Sequence, residues 1–340
     1  MKSVPKIFVK SIVLLLAFSI LTGCSRQPVS YAAADIAMGT LINQTIYTVG
    51  EDETGNITGL IRMLEEDTLS WRIPGSEVAR INLLAAGTSV GLSEELWEEL
   101  ILLQEVSEQS GGAFDFTLGT LTGLWNIDGQ ALSGNGEMRV PAEEEIVRAL
   151  EESGYDKVLL KDGCITLEDG VQLDLGAAGK GIACDRIGDY LRETDITGAV
   201  VSVGGSVLTY GEKPDGSPWQ VGIVNPGDTA RLLGTLSLTG EWYISTSGDY
   251  ERYIEVEGIR YHHILNPASG YPASSGLRSV TVVCDSGILS DALSTACFVL
   301  GKDKGMALAS RFGAEVLFVD EEGNVFLSEG LNNIFRRTEE

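Results

Sequence analysis

The 340-residue sequence predicts an α+β fold of mixed, mostly antiparallel sheets with flanking helices. Three observations predict it. Short runs that alternate polar and apolar residues are joined by the tight-turn pairs Asp162-Gly163 and Glu257-Gly258, the signal of antiparallel hairpins. Helical spacing occurs in separated stretches between such runs, most clearly over 93–110. No internal repeat or low-complexity linker divides the chain, which is long enough for one large domain or two intimate lobes.

The N-terminus reads as an export signal. Lys2, Lys6 and Lys10 precede the apolar run Ser11–Ile20, which is short for a membrane span. Leu21-Thr22-Gly23-Cys24 then looks like a bacterial lipobox, which makes Cys24 the lipidated first residue of the mature chain. An uncleaved anchor helix is the alternative, but Ser25-Arg26-Gln27-Pro28 turns polar and helix-breaking at once. The expected organisation is a signal peptide over 1–24, a tether over 25–36 and a globular domain over 37–330, on the extracytoplasmic face of the cell membrane. With 24 Lys and Arg against 49 Asp and Glu, the net charge of −25 repels phosphate backbones and argues against nucleic acid as a partner. An anionic ligand then needs local help from a helix N-terminus, a lysine or a metal ion. Cys164, Cys184, Cys284 and Cys297 follow no zinc or CxxC spacing and read as thiols among apolar residues, with a disulfide left open.

The elements follow in order. Ala37–Val49 reads as an opening strand. Over 56–67, Ile57, Leu60, Ile61 and Leu64 share a helix face, and Ser76 caps a helix that starts before Asn82. In 93–110, Leu96, Leu100, Leu103 and Val106 form one stripe with glutamates opposite, and Gly111-Gly112 ends the helix. Pro141–Ser153 reads as a helix opened by proline, and 157–160 and 164–167 as a hairpin. Val171–Asp185 is an apolar strand, a Gly-rich turn and a helix, which would converge free N–H groups and Lys180 on an anion. It is not a P-loop: Gly176 and Gly179 enclose two residues, and no Ser or Thr follows Lys180. Val200–Val207 reads as one strand with a close-approach glycine pair. Strands at 219–226, 232–238, 242–246, 279–284, 315–319 and 325–327 complete the sheet set. Ser290 reads as the cap of a helix ended by Gly301, which makes Asp291 a first-turn residue facing the helix dipole.

The stretch Ser245–Pro272 holds the only two histidines, His262 and His263. Strand alternation sends adjacent side chains to opposite faces, so one faces the core and the other a cleft. A histidine entering the stiff loop Asn266–Pro272 suits proton transfer near neutral pH, although both could simply decorate a strand.

That stretch, STSGDYERYIEVEGIRYHHILNPASGYP, resembles the signature of the ApbE family, the FAD:protein FMN transferases. It departs at Asn266, where Asp is usual, and at Ala268-Ser269. Further runs carry the same resemblance in the same order. They are Met38-Gly39-Thr40, Ser76–Asn82, the GAFD run ending in Ala113-Phe114-Asp115, DLGAAGKGIACD over 174–185, PWQVGIVNP, and SDALST from Ser290. Phe116, where Pro is frequent, is another departure.

The resemblance implies two lobes around a cleft for FAD. It assigns Met38, Trp71, Ala113, Phe114, Asp115, Asp174, Lys180 and Leu265 to the dinucleotide. It assigns the carbonyl of Ala177 with Asp291 and Thr295 to Mg²⁺, which reverses the dipole reading of Asp291. His263 becomes the base that takes the acceptor's proton, with Asn266 placed to orient it. The implied reaction splits FAD, attaches FMN to a Thr or Ser hydroxyl of an acceptor flavoprotein subunit or flavin-binding module, and releases AMP. Mg²⁺-dependent hydrolysis of FAD and a non-catalytic flavin-binding lipoprotein are the alternatives.

Overall fold

The computed structural model describes residues 27–133 and 138–338; Cys24 and the expected signal segment lie outside them. The strands are β1 (Val29–Ala37), β2 (Thr40–Thr48), β3 (Val90–Gly91), β4 (Val158–Lys161), β5 (Cys164–Leu167), β6 (Ile196–Val203), β7 (Ser206–Gly211) and β8 (Trp219–Asn225). They continue with β9 (Asp228–Leu238), β10 (Trp242–Gly248), β11 (Tyr253–Val256), β12 (Ile259–His262), β13 (Leu277–Cys284), β14 (Glu315–Asp320), β15 (Val325–Leu327) and β16 (Phe335–Arg337). The helices are α1 (Thr54–Leu64), α2 (Glu77–Asn82), α3 (Glu94–Gln109), α4 (Gly119–Trp125), α5 (Ile127–Ser133), α6 (Glu143–Glu151), α7 (Gly179–Arg192), α8 (Gly287–Leu300) and α9 (Lys302–Arg311).

An eight-stranded sheet in the order β1-β2-β6-β7-β10-β13-β14-β15 forms the platform, and every neighbouring pair in it is antiparallel. The expected α+β class is what the chain adopts. The interior strand β13 is buried nearly throughout because both faces of the sheet are covered there. On one face, Ile182 of α7 and Ala292 and Ala296 of α8 cluster with Val280 and Val282. On the other, Val221, Ile223 and Leu236 of the three-stranded sheet β16-β9-β8 pack on Ile244, Val283 and Leu317. Strands buried on both sides read as continuous apolar runs, as SVTVVC does.

Several boundaries differ from the sequence reading, each for a local reason. Ala37–Val49 is not one strand. Met38 and Gly39 adopt φ of 51° and 64° and turn β1 back on β2, so much of the expected tether is an edge strand from Val29. Val200–Val207 is likewise two strands, β6 and β7, folded at Gly204-Gly205. The expected end at 330 falls short, because Phe335–Arg337 pairs with Gly234–Leu236 of β9. Pro141 precedes the cap residue Ala142 rather than opening α6. α8 begins at Gly287, capped by the Ser286 hydroxyl, which accepts from the Leu289 N–H at 3.4 Å. Ser290 is therefore inside the helix, and Asp291 is no first-turn residue.

Candidate active site

The hairpin β11–β12 pairs Tyr253 with His262 and turns at Glu257-Gly258, both with positive φ, as a type I′ turn requires. β12 ends at His262. His263 opens the next loop and carries the ladder one residue further, its N–H donating to the Arg252 carbonyl at 3.1 Å. The two imidazoles point opposite ways. His262 is buried, packs edge-on against Phe298 with ring centres 5.5 Å apart, and places Nε2 2.9 Å from the Ala273 carbonyl. Its Nδ1 accepts from the Ile264 N–H at 3.2 Å, so both ring nitrogens are satisfied inside the protein. His263 is half-buried on the cleft, with Nδ1 3.2 Å from the Arg252 carbonyl. A carbonyl can only accept, so Nδ1 carries the proton and Nε2 keeps its lone pair. Burial, and next the charge of Arg252, push the His263 pKa down to about 4. Neutral imidazole is therefore the resting form at neutral pH.

Asn266 does not orient His263. Its side-chain oxygen accepts from the Ala268 N–H at 2.9 Å and so ties its own loop, which the Trp125 indole fastens from α4 through a 2.7 Å bond to the Gly270 carbonyl. The group that fixes His263 is the backbone of Arg252.

The helices α7 and α8 supply the facing wall. Asp291, buried in α8, accepts from the Gly181 N–H of α7 at 3.0 Å, and the Lys180 ammonium lies 3.5 Å from the same oxygen. Thr295, one turn on, lies 3.2 Å from the Ser247 hydroxyl of β10. Asp291, Thr295 and Ala177 all line one cavity of about 160 Å³. A carboxylate, a hydroxyl and a carbonyl are hard oxygen donors of the kind Mg²⁺ takes with water. Asp291 Oδ1 has no protein donor among the described residues, so the donor set fits the ion. No group of three His, Cys, Asp or Glu side chains makes a metal cluster among the described residues. A metal ion here would therefore rely on backbone and hydroxyl oxygen beside the single carboxylate of Asp291.

Ala113, Phe114, Asp115 and Leu265 line that same cavity, while Met38 and Trp71 line a second, more open one of about 750 Å³. Asp174 and Lys180 line both, as does His263, so the two cavities meet at the expected phosphate-side and proton-accepting groups. Their combined space suits a dinucleotide, since small-molecule sites typically span roughly 300–1,000 Å³. Leu265 thus stands with the Ala113–Asp115 group and apart from Met38 and Trp71. Asp115 is engaged already: one oxygen accepts from the Thr117 N–H at 2.8 Å and hydroxyl at 2.6 Å, the other from the Tyr155 N–H at 3.2 Å. Burial raises its pKa against those bonds. The turn role of Asp115 is therefore present whatever it offers a ligand. Met38 donates its N–H to Glu65 at 2.6 Å, and the Trp71 indole N–H is buried without a protein partner among the described residues.

Sequence reasoning left four groups unassigned. Arg72 lies over the Trp71 ring at 4.2 Å and lines both cavities. Arg252 lines both and pairs with Asp128 at 3.0 Å. Glu251 opens into both cavities, and crowding by protein raises its pKa while Lys180 works in the opposite direction. Thr246 faces the junction from β10, between Ser245 and Ser247, which bond to α8. Glu251 and Arg252 belong to the GDYER run, whose spacing alone carries no ligand chemistry.

The ApbE family model matches residues 38–318. The FAD:protein FMN transferase of Klebsiella pneumoniae (strain 342) is 33% identical over 303 residues, covering 88% of this chain and 92% of the relative. That of Treponema pallidum (strain Nichols) is 31% identical over 322 residues, with 88% and 87% covered. Among solved structures, the apo flavinyl transferase ApbE of Pseudomonas stutzeri superposes with a TM-score of 0.78 at 31% identity, covering 91% of this chain and 98% of that one. The ApbE protein of Thermotoga maritima gives 0.79 at 34% identity, with 91% and 100% covered.

Proposed function

The chain belongs to the ApbE family, and from that premise we propose that it transfers FMN from FAD to a Thr or Ser hydroxyl of an acceptor protein, releasing AMP. The observation that carries this reading is His263. Its Nδ1–H is tied to the Arg252 carbonyl, its Nε2 keeps a lone pair, and the residue lines both cavities together with Lys180, with Asp291 lining the smaller one.

FAD bridges the two cavities with its pyrophosphate where they meet. The acceptor hydroxyl attacks the FMN phosphorus, a new O–P bond forms, the bond to the bridging pyrophosphate oxygen breaks, and AMP leaves. His263 Nε2 takes the hydroxyl proton. Lys180 and the N-terminal end of α7 face the charge that collects on the phosphate oxygens. Asp291, Thr295 and the Ala177 carbonyl would hold Mg²⁺, which supplies further positive charge to those oxygens when bound. Trp71 offers a broad aromatic face to a ring system, and Asp174, whose Oδ1 accepts from the Gly176 N–H at 2.9 Å, braces the turn ahead of α7.

The test mixes protein, FAD, Mg²⁺ and a candidate acceptor domain and reads the acceptor's intact mass. Covalent FMN on the acceptor supports transfer. Free FMN and AMP with an unmodified acceptor would make the protein a hydrolase instead.

We infer further that Cys24 carries lipid and holds the domain at the extracytoplasmic membrane surface, on the strength of the basic, apolar and lipobox order of residues 2–24. Lipid mass at Cys24 in protein purified from its host is the expected result. An unmodified Cys24 in that protein would dismiss it.

A further inference from the structure

Behind the cleft, α7 and α8 start in contact. A Cβ on Gly181 would collide with the Gly287 carbonyl, and one on Gly287 with that of Gly181. Each helix also supplies a carboxylate to the other's first turn. Asp291 of α8 accepts from the Gly181 N–H at 3.0 Å, and Asp185 of α7 accepts from the Gly287 and Ile288 N–H groups at 2.6 and 2.7 Å. Opening N–H groups have no partner within their own helix, and a carboxylate there also meets the positive end of the dipole. Asp185 lines neither cavity, so substrate has no call on it.

The three oxygen donors straddle this contact. The Ala177 carbonyl belongs to the turn that opens α7, whereas Asp291 and Thr295 ride on α8. The spacing of the donors is therefore the spacing of the two helix starts. We propose that Asp185 is a positioning residue for the Mg²⁺ site, its carboxylate locking the start of α8 to α7 so that Asp291 and Thr295 stay in register with the Ala177 carbonyl. This rests on the metal reading given above. The Asp185 carboxyl is pushed up to about 6 by burial, with its two N–H donors pulling the other way, so it is ionised at pH 8.

The experiment measures Mg²⁺ binding at pH 8 in two ways: the Mg²⁺-dependent rise in Tm of the FAD-bound protein, and the Mg²⁺ half-saturation of FMN transfer. Asp185→Asn, which keeps one acceptor oxygen, and Asp185→Ala are compared with two controls. Ser286→Ala removes the cap of α8 without touching the α7 contact, and Asp189→Asn alters an exposed carboxylate one turn further along α7. The expected result is a Mg²⁺ half-saturation raised by about tenfold or more in both Asp185 variants, the usual scale for losing a group that orients metal ligands, with transfer recovering at high Mg²⁺. The controls keep the wild-type half-saturation, even where Tm falls. Folded Asp185 variants with lowered Tm but unchanged Mg²⁺ half-saturation would reduce Asp185 to a helix cap and overturn the proposal, as would failure of Asp185→Asn itself to fold. A wild type with no Mg²⁺ response in either readout would remove the metal reading, and this proposal with it.

Discussion

His262 and His263 are neighbours in sequence and belong to different regions of the molecule. His262 sits in the core under β12, with both ring nitrogens bonded and Phe298 against its ring. His263 stands on the cleft wall with one nitrogen bonded to backbone. Burial lowers both pKa values, yet the consequences differ. In the core it preserves a hydrogen-bonding pattern that protonation would break, because Nδ1 could no longer accept from Ile264. In the cleft it keeps a lone pair available to an incoming proton. The residue type does not decide the role; the number of ring nitrogens left free does.

Removing the cleft side alone should have the largest effect. Asp291→Ala should abolish Mg²⁺-dependent transfer while leaving the His262 environment intact, as measured by FMN incorporation and by Tm. Ordinary turnover at ordinary Mg²⁺ would mean that the carboxylate serves only to cap α7.

Removing the core side should cost stability instead. His262→Ala leaves the Ala273 carbonyl and the Ile264 N–H without their partner, which typically costs about 1–3 kcal/mol. Denaturant unfolding should show that loss, with the transfer rate of the folded enzyme within a few-fold of wild type. A rate loss matching that of a His263 variant would erase the distinction between the two sites.

The pH dependence sharpens the contrast further. With His263 titrating near 4, activity should rise as pH climbs through about 4, and His263 should impose no further inflection between pH 5 and 8. Stability moves the same way. Both histidines have folded pKa values below the 6.5 of the free side chain. The unfolded chain therefore binds more protons, and stability present above about 6.5 is lost as pH falls towards 4. Unfolding free energies at pH 7 and pH 5 that are equal after correction for the carboxylates would contradict this.

The smallest expected effect is at Arg72, which lines both cavities but is exposed and stacked on Trp71. Arg72→Ala should weaken FAD binding by a few-fold and leave kcat nearly unchanged. A kcat loss larger than the loss in binding would place Arg72 among the groups that act on the transition state.

What the sequence disclosed depended on whether the signal was local. Asp162-Gly163 marked its hairpin because both residues favour turns, and Glu257-Gly258 marked its own through the glycine. Met38-Gly39 hid one, since methionine at φ 51° is no turn signal. Ser286 and Ser290 look alike as helix caps, and only the packing of Gly287 on Gly181 selects the first. The opposite fates of the two histidines were legible from strand alternation. That Arg252, eleven residues upstream, rather than Asn266 fixes His263 was not, because it follows from the register of β11 on β12. The bonds from Asp185 to Gly287 and Ile288 span more than a hundred residues and leave no mark in spacing.

The most direct test of the account is single-turnover FMN transfer by His263→Ala beside His262→Ala, with folding and FAD binding verified for each. The account predicts unchanged FAD affinity and transfer slowed by at least about 100-fold in His263→Ala, the usual cost of losing a general base, against a near-normal rate in His262→Ala. Equal rates in wild type and His263→Ala would leave His263 a structural loop residue and the reaction without its base.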